Sequence, residues 1–220
     1  MRRKLKCYVA YTTFLYRLLG VVLIPCVFWI LCGILLWSGN VGGGQSDNGK
    51  IYSFYFTFNA YIVLYELFTD FWVLGGCLSD DGKGLRYFKT SRGGVEVMRG
   101  IVSVDLVRRF LYCMVFPGMI FLCTGWKLSF VMGLATYCVI VGVLHGTRHF
   151  DGLQRSTGIA ILAQAGMVLV NFINVVLVSL AGDGAGTMLA FLTVLYGALA
   201  VALSRLMVRR VTARIQGREV

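Results

Sequence analysis

Residues 78–112 read LSDDGKGLRYFKTSRGGVEVMRGIVSVDLVRRFLY, and this stretch decides how the rest of the chain is read. It is the longest polar interval in a sequence otherwise built of apolar runs. It carries seven cations: Lys83, Arg86, Lys89, Arg92, Arg99, Arg108 and Arg109. A Gly93-Gly94 break divides it. After the break Val95, Met98 and Val102, with Val97, Ile101 and Val104 beside them, recur at helical spacing, interspersed with Glu96, Arg99 and Asp105. The spacing predicts an amphipathic helix on a membrane surface that runs into the next hydrophobic segment. The more polar LRYFKTSR before the break is expected to project further from the membrane, with Tyr87 and Phe88 available to a partner.

Working outward, the membrane follows from composition. The chain has 220 residues, 58% of them hydrophobic and 14% charged, with mean hydropathy +0.76. A soluble domain carries roughly 25% charged residues. Apolar runs of about 20 residues recur, the length that crosses a hydrocarbon core of about 30 Å. The sequence predicts an all-α integral membrane protein, residues 1–220 forming one transmembrane domain. Six spans are expected, at about 14–37, 51–76, 109–124, 130–144, 158–181 and 187–207. The segment MRRKLKCYVAYTT before the first span mixes cations and apolar residues, as interfacial helices do. The apolar run that follows it is longer than the core of a signal peptide and lacks a small-residue cleavage site, so it reads as a retained helix.

A net charge of +11 raises nucleic acid as a partner. The cations flank the apolar runs instead of lining one face, which argues for topology determinants and against nucleic-acid binding. If the spans alternate, 19 of the 21 Lys and Arg residues fall on one side, leaving Lys50 and Lys127 on the other. The excess of cations predicts cytoplasmic termini and a cytoplasmic 78–112 loop in a cell membrane. None of the seven cysteines falls in an expected exterior loop, so no disulfide framework is implied.

Enzyme chemistry finds little footing. Asp81–Arg86 resembles part of the CDP-alcohol phosphotransferase motif, but that family needs four metal-binding carboxylates. Here Leu78, Arg99 and Ser103 stand at three of those positions, and they cannot replace carboxylates around divalent metals. His145 and His149, with Asp151 nearby, could form a metal pair on a helix, although two histidines are too few for a membrane di-iron site. There is no G-x-x-x-x-G-K-[ST] phosphate loop, so any ATP must be handled by another chain. No catalytic residue, cofactor or metal is assigned to this one.

Two sets of intramembrane polar residues stand out. Glu66 and Asp70 are four apart on one helix face, and carboxylates in a span usually have a partner. The expected partners are Arg17 near the start of the first span and Arg108 at the start of the third, tying helices together near the cytoplasmic face; a proton or cation pathway is the rival reading. Gln164, Asn171 and Asn174 give the fifth span a polar stripe, read either as interhelical hydrogen bonding or as the lining of a substrate path.

This layout resembles the membrane subunit of type-2 ABC exporters, which have a basic amphipathic N-terminal interfacial helix, six spans, cytoplasmic termini and a coupling helix between the second and third spans. The resemblance is architectural and implies a permease that docks a separate ABC-type ATPase and moves a substrate across the membrane. It would work as a homodimer or a heterodimer of permease subunits in contact with lipid. Residues 83–96 would be the coupling region, with Arg86, Tyr87, Phe88, Lys89, Arg92 and Glu96 contacting the ATPase. The chain departs from that family in lacking a proline in the loop and in the short turn between the fifth and sixth spans. Alternatives are the substrate-binding subunit of an energy-coupling-factor vitamin importer, or a non-transport scaffold or immunity protein.

Overall fold

The computed structural model describes residues 2–38, 48–70, 88, 89, 91, 93–147 and 157–216. Among them the regular structure is helical throughout, in seven α-helices: α1 (Arg2–Tyr11), α2 (Ile24–Trp37), α3 (Asn48–Asp70), α4 (Gly94–Thr124), α5 (Leu128–Thr147), α6 (Thr157–Leu180) and α7 (Ala185–Ile215). A π-helical segment, Tyr16–Leu23, feeds directly into α2. Five stretches are long and apolar enough to cross a membrane: Tyr16–Leu35, Gly94–Thr124, Leu128–Gly146, Gly158–Leu180 and Gly182–Ile215. The chain is a multi-pass helical membrane protein.

The expected second span differs from this set for a physical reason. Helix α3 ends at Asp70 among the described residues, and it carries Asn59, Glu66, Asp70 and several tyrosines, which lower its hydropathy. It packs instead by its polar and aromatic side chains; Asn59, Glu66, Thr69 and Tyr55 are all buried. Residues 71–76, expected to complete that span, lie outside the described residues.

The helix expected after Gly93-Gly94 does run into the next apolar segment: α4 is one continuous helix from Gly94. Its 31 residues extend about 46 Å, some 16 Å more than the hydrocarbon core. The charges at 105–109 lie within this continuous helix and are neutralised inside the bundle. The sixth span, expected to stop near Met207, continues as α7 to Ile215, and Met207, Val211, Thr212 and Ile215 are buried along it. Residues 209–215 of the basic tail are therefore helical, with Val211, Thr212 and Ile215 buried. Gly93 caps α4 at φ 151°, a backbone conformation open to glycine. A Cβ on Gly94 would lie 2.1 Å from the Phe88 carbonyl oxygen, so the second glycine is required by close approach.

Pro25 and Pro117 each remove an N–H from a helix, which frees the carbonyl four residues back. In the first case the free carbonyl is Val21, and it accepts the Tyr112 hydroxyl across the α2–α4 interface. The adjoining π turn, in which the Ile24 N–H reaches Leu19, absorbs the register change. In the second case Cys113 is freed, and Gly133 of α5 sits against it: a Cβ there would be 2.9 Å from the Cys113 oxygen and 2.6 Å from Pro117 Cγ. Ser129 donates to the Pro117 carbonyl at 3.0 Å, closing the same contact.

Helix directions follow from the contacts. Tyr52 of α3 packs edge-on against Trp126 at the α4–α5 turn, while Glu66 meets Arg108, so α3 and α4 are antiparallel. Arg210 donates to the His145 carbonyl at 3.0 Å, placing the end of α7 beside the end of α5. Lys4 of α1 lies against Gly100, whose missing side chain lets the two backbones approach. One end of the bundle thus gathers α1, the start of α4 and the ends of α5 and α7, with Lys4, Arg99, Arg205, Arg209 and Arg210. Lys127 marks the opposite end.

Candidate functional site

The most polar part of the interior is a lattice of five charges contributed by α3 and α4. Helical spacing explains why they converge. Glu66 and Asp70 are one turn apart on α3, and Asp105 precedes Arg108 and Arg109 by three and four residues on α4. Arg108 holds Glu66 with both terminal nitrogens, Nη1–Oε1 at 3.0 Å and Nη2–Oε2 at 2.8 Å. Arg109 reaches Asp70 at 2.9 Å and the Glu66 backbone oxygen at 2.9 Å. Asp105 bridges both guanidinium groups from below, 3.1 Å to Arg108 Nε and 2.7 Å to Arg109 Nε. Thr69 accepts a further bond from Arg108 at 3.3 Å and donates its hydroxyl to the Glu66 carbonyl.

Burial makes this geometry consequential. Glu66 is fully buried, and Arg109 and Asp105 are 1% exposed. Isolated charges in such a place would be very unfavourable, and only mutual pairing with directed hydrogen bonds offsets their desolvation. Arginine suits the task because its planar fork matches a carboxylate edge. Aromatic rings enclose the lattice. The Arg108 guanidinium carbon lies 5.0 Å from the centre of the Tyr112 ring, a cation–π contact, and Tyr112 stacks edge-on with Trp29 at 4.9 Å. From α1, Tyr8 comes close enough for Asp105 to act on its phenol; burial first, and that negative charge second, push its pKa above the usual range. Arg108 lies sixteen residues, about 24 Å, from the Thr124 end of α4, so the lattice sits toward the basic end of the bundle.

The sequence candidates divide accordingly. Glu66, Asp70 and Arg108 come together. Arg17 does not join them: its Nε meets the Thr13 carbonyl at 3.4 Å within its own helix turn. Arg109 takes the place expected of a second cation and meets Asp70. It was read only as a span boundary, and Asp105 only as a polar residue of a surface helix. The signal for both was present, since an aspartate three and four residues before a pair of arginines can hold both.

Gln164, Asn171 and Asn174 sit in helix-packing interfaces. Gln164 donates to the Ala60 carbonyl of α3 at 2.7 Å, Asn171 donates to Thr136 at 3.1 Å, and Asn174 accepts the Tyr196 hydroxyl at 2.9 Å. Asn171 and Asn174 are fully buried. Gln164 is half-buried, and the Asn171 Oδ1 and Asn174 Nδ2 atoms are buried with no hydrogen-bond partner among the described residues. Thr136 is a shared node: it also accepts Asn59 at 2.6 Å and donates to Met132, joining α3, α5 and α6.

Of the residues expected to face an ATPase, Arg86, Tyr87 and Arg92 lie outside the described residues. Phe88 turns inward, 5% exposed, with its ring 5.9 Å from Tyr11 of α1. Its side chain is buried against α1, not exposed as expected. Lys89 and Glu96 are exposed. His149 and Asp151 also lie outside the described residues, and among those described no group of three His, Cys, Asp or Glu side chains could hold a metal. Six cysteines are free thiols; Cys77 lies outside the described residues. Comparison with protein families, with curated proteins and with solved structures finds no match.

Proposed function

We propose that this chain is the permease subunit of an ATP-driven membrane transporter, with six spans including α3 and both termini in the cytoplasm. A separate ABC-type ATPase docks on the cytoplasmic segment between α3 and α4, around Lys83–Glu96, and this segment acts as the coupling element. The permease works as a dimer, and the ATP chemistry resides in the partner.

One observation carries this reading: the helices that flank the proposed docking segment are clamped to each other by the five-charge lattice. A load applied to residues 71–93 reaches both α3 and α4 at Glu66–Arg108 and Asp70–Arg109, so the two helices respond as one body. Phe88 against Tyr11 and Lys4 against Gly100 add the interfacial helix α1 to that body. Paired on every side, the lattice is suited to transmitting force and poorly suited to relaying protons. The exporter reading gains further support from the surface position of Lys89 and Glu96 beside this anchor.

Co-purification tests the proposal. The chain, isolated in mild detergent from its own host, is expected to bring an ATPase with it, and charge reversal at Arg86, Lys89 and Arg92 is expected to release that ATPase while the helical bundle stays folded. Retention of the ATPase by the triple variant overturns the docking assignment. A bound vitamin with no direct ATPase contact would point to the importer subunit instead, and a chain that purifies alone to a scaffold.

A further inference from the structure

Between α4, α5 and α7 lies a cavity of about 1050 Å³ whose two ends differ in chemistry. Its mouth, at the basic end of the bundle, carries Arg99, Arg205 and Arg209. Its shaft is apolar, walled by residues such as Leu106, Phe110 and Val201. Gly197 marks the deep end, twelve residues or roughly 18 Å along α7 from Arg209, which is more than half the hydrocarbon core. Phe110 and Tyr137 meet edge-on at 5.4 Å and shape the floor.

Apart from the Gln216 amide, the polar groups of the cavity fall into two classes. The hydroxyls are already used: Ser103 donates to the Arg99 carbonyl, Thr212 to Val208, and Ser204 both to Ala200 and in a pair with Tyr137. The three arginines are exposed, and none has a carboxylate within ion-pairing distance among the described residues. Three carboxylates of the interior, Glu66, Asp70 and Asp105, are committed to Arg108 and Arg109. Three arginines thus stand at one rim of an apolar slot that opens sideways from the bundle.

We infer that this cavity binds an anionic phospholipid, with the phosphate held by Arg99, Arg205 and Arg209 and an acyl chain laid along the shaft. Charge complementarity and length both favour this occupant. Guanidinium groups pair with phosphate through directed N–H bonds, and basic pockets between membrane helices bind acidic headgroups. An acyl chain entering an 18 Å slot removes apolar surface on both partners from poorly packed contact. This site is independent of the ATPase reading, since it shares no residue with the proposed docking segment 83–96 or the five-charge lattice.

The full-length chain, stripped of lipid in mild detergent, tests this with phosphatidylglycerol bearing a photoreactive diazirine on its acyl chain. After irradiation, adducts mapped by mass spectrometry are expected on the 106–110 and 197–201 segments. The matched phosphatidylcholine probe, whose choline cancels the charge of its phosphate, is expected to label them at least about tenfold less. Arg99→Gln with Arg205→Gln and Arg209→Gln should remove that preference without shifting the thermal unfolding of the exposed positions' helices. Gly197→Leu should shorten the labelled region while leaving the headgroup preference. Inorganic phosphate in excess should not compete. Equal labelling by both lipids, adducts spread evenly over the helix faces, or an unchanged preference in the triple glutamine variant each overturn the proposal. So does displacement by inorganic phosphate, which would assign the arginines to a free anion. If a second copy fills the slot, lipid adducts are absent and Gly197→Cys copies cross-link to each other, which also rules the lipid out.

Discussion

Arg108 and Glu66 meet through two parallel N–H···O bonds of 3.0 and 2.8 Å although they are 42 positions apart, and they fix α3 to α4 near one end of the bundle. Glu66→Gln should therefore be severe. It leaves Arg108 and Arg109 buried with one carboxylate fewer, and breaking a buried pair from one side costs about 3–5 kcal/mol. Thermal unfolding in detergent, followed by light scattering, should show a large drop in midpoint, and Arg17→Gln should show none. Exchanging the pair, Glu66→Arg with Arg108→Glu, should recover part of the loss; a double variant as weak as the sum of the singles would show that Glu66 and Arg108 do not act on each other.

The Thr136 hydroxyl accepts two amides, from Asn59 and Asn171, and so joins three helices through one oxygen. Thr136→Val keeps the shape and removes the acceptor. Both amides then lose a partner, and the expected cost is about 1–2 kcal/mol, in the upper range of interhelical hydrogen bonds in membranes. Thr136→Ser retains the hydroxyl and should stay near the parent. Denaturant titration of all three proteins checks the ordering, and equal stability of Thr136→Val and the parent would remove the node from the account.

Gly133 is the point where α5 crosses Pro117 of α4. An added Cβ would lie 2.6 Å from Pro117 Cγ and 2.9 Å from the Cys113 oxygen, and neither of these can give way easily. Gly133→Ala should lower stability by about 1–3 kcal/mol, the range for overpacking. Gly166→Ala is the control, since its Cβ would find Val139 Cγ1 at an ordinary 3.5 Å. Comparable losses at the two glycines would mean that the α4–α5 contact is looser than the geometry shows.

The helical membrane architecture was legible because it depends on run length, a local property. The break at Gly93-Gly94 and the helix after it were legible for the same reason. The pairing of Glu66 with Arg108 was half legible: an intramembrane carboxylate demands a cation, but which cation depends on helix contacts that one sequence does not encode at a readable spacing. Arg17 and Arg108 looked equivalent on depth alone, and only the antiparallel packing of α3 on α4 separates them. The mutual pairing of Asp105, Arg108 and Arg109 was not legible, because in the sequence alone these charges look like those of a water-facing helix, whereas neighbours neutralise them. Phe88 was misread similarly. An aromatic in a polar loop is exposed only if nothing covers it, and the cover here is Tyr11, 77 positions away. The cavity between α4, α5 and α7 had no sequence signature, since its arginines look like ordinary topology signals.

The two ends of the bundle allow a direct test of orientation. Lys127 stands in the turn between α4 and α5, and Gln216 follows the last residue of α7 at the opposite, basic end. Both positions are exposed. In a chain whose own cysteines are replaced, Lys127→Cys and Gln216→Cys are each labelled with a membrane-impermeant maleimide on intact cells and again after permeabilisation. If the excess of cations faces the cytoplasm, Lys127→Cys reacts in intact cells and Gln216→Cys reacts only once the membrane is opened. The reverse pattern would invert the bundle and place the 71–93 segment outside, beyond the reach of any cytoplasmic ATPase. Reaction of both positions in intact cells would require an even number of crossings between them, which contradicts the three helices α5, α6 and α7 that separate them and the Arg210–His145 contact that sets the end of α7.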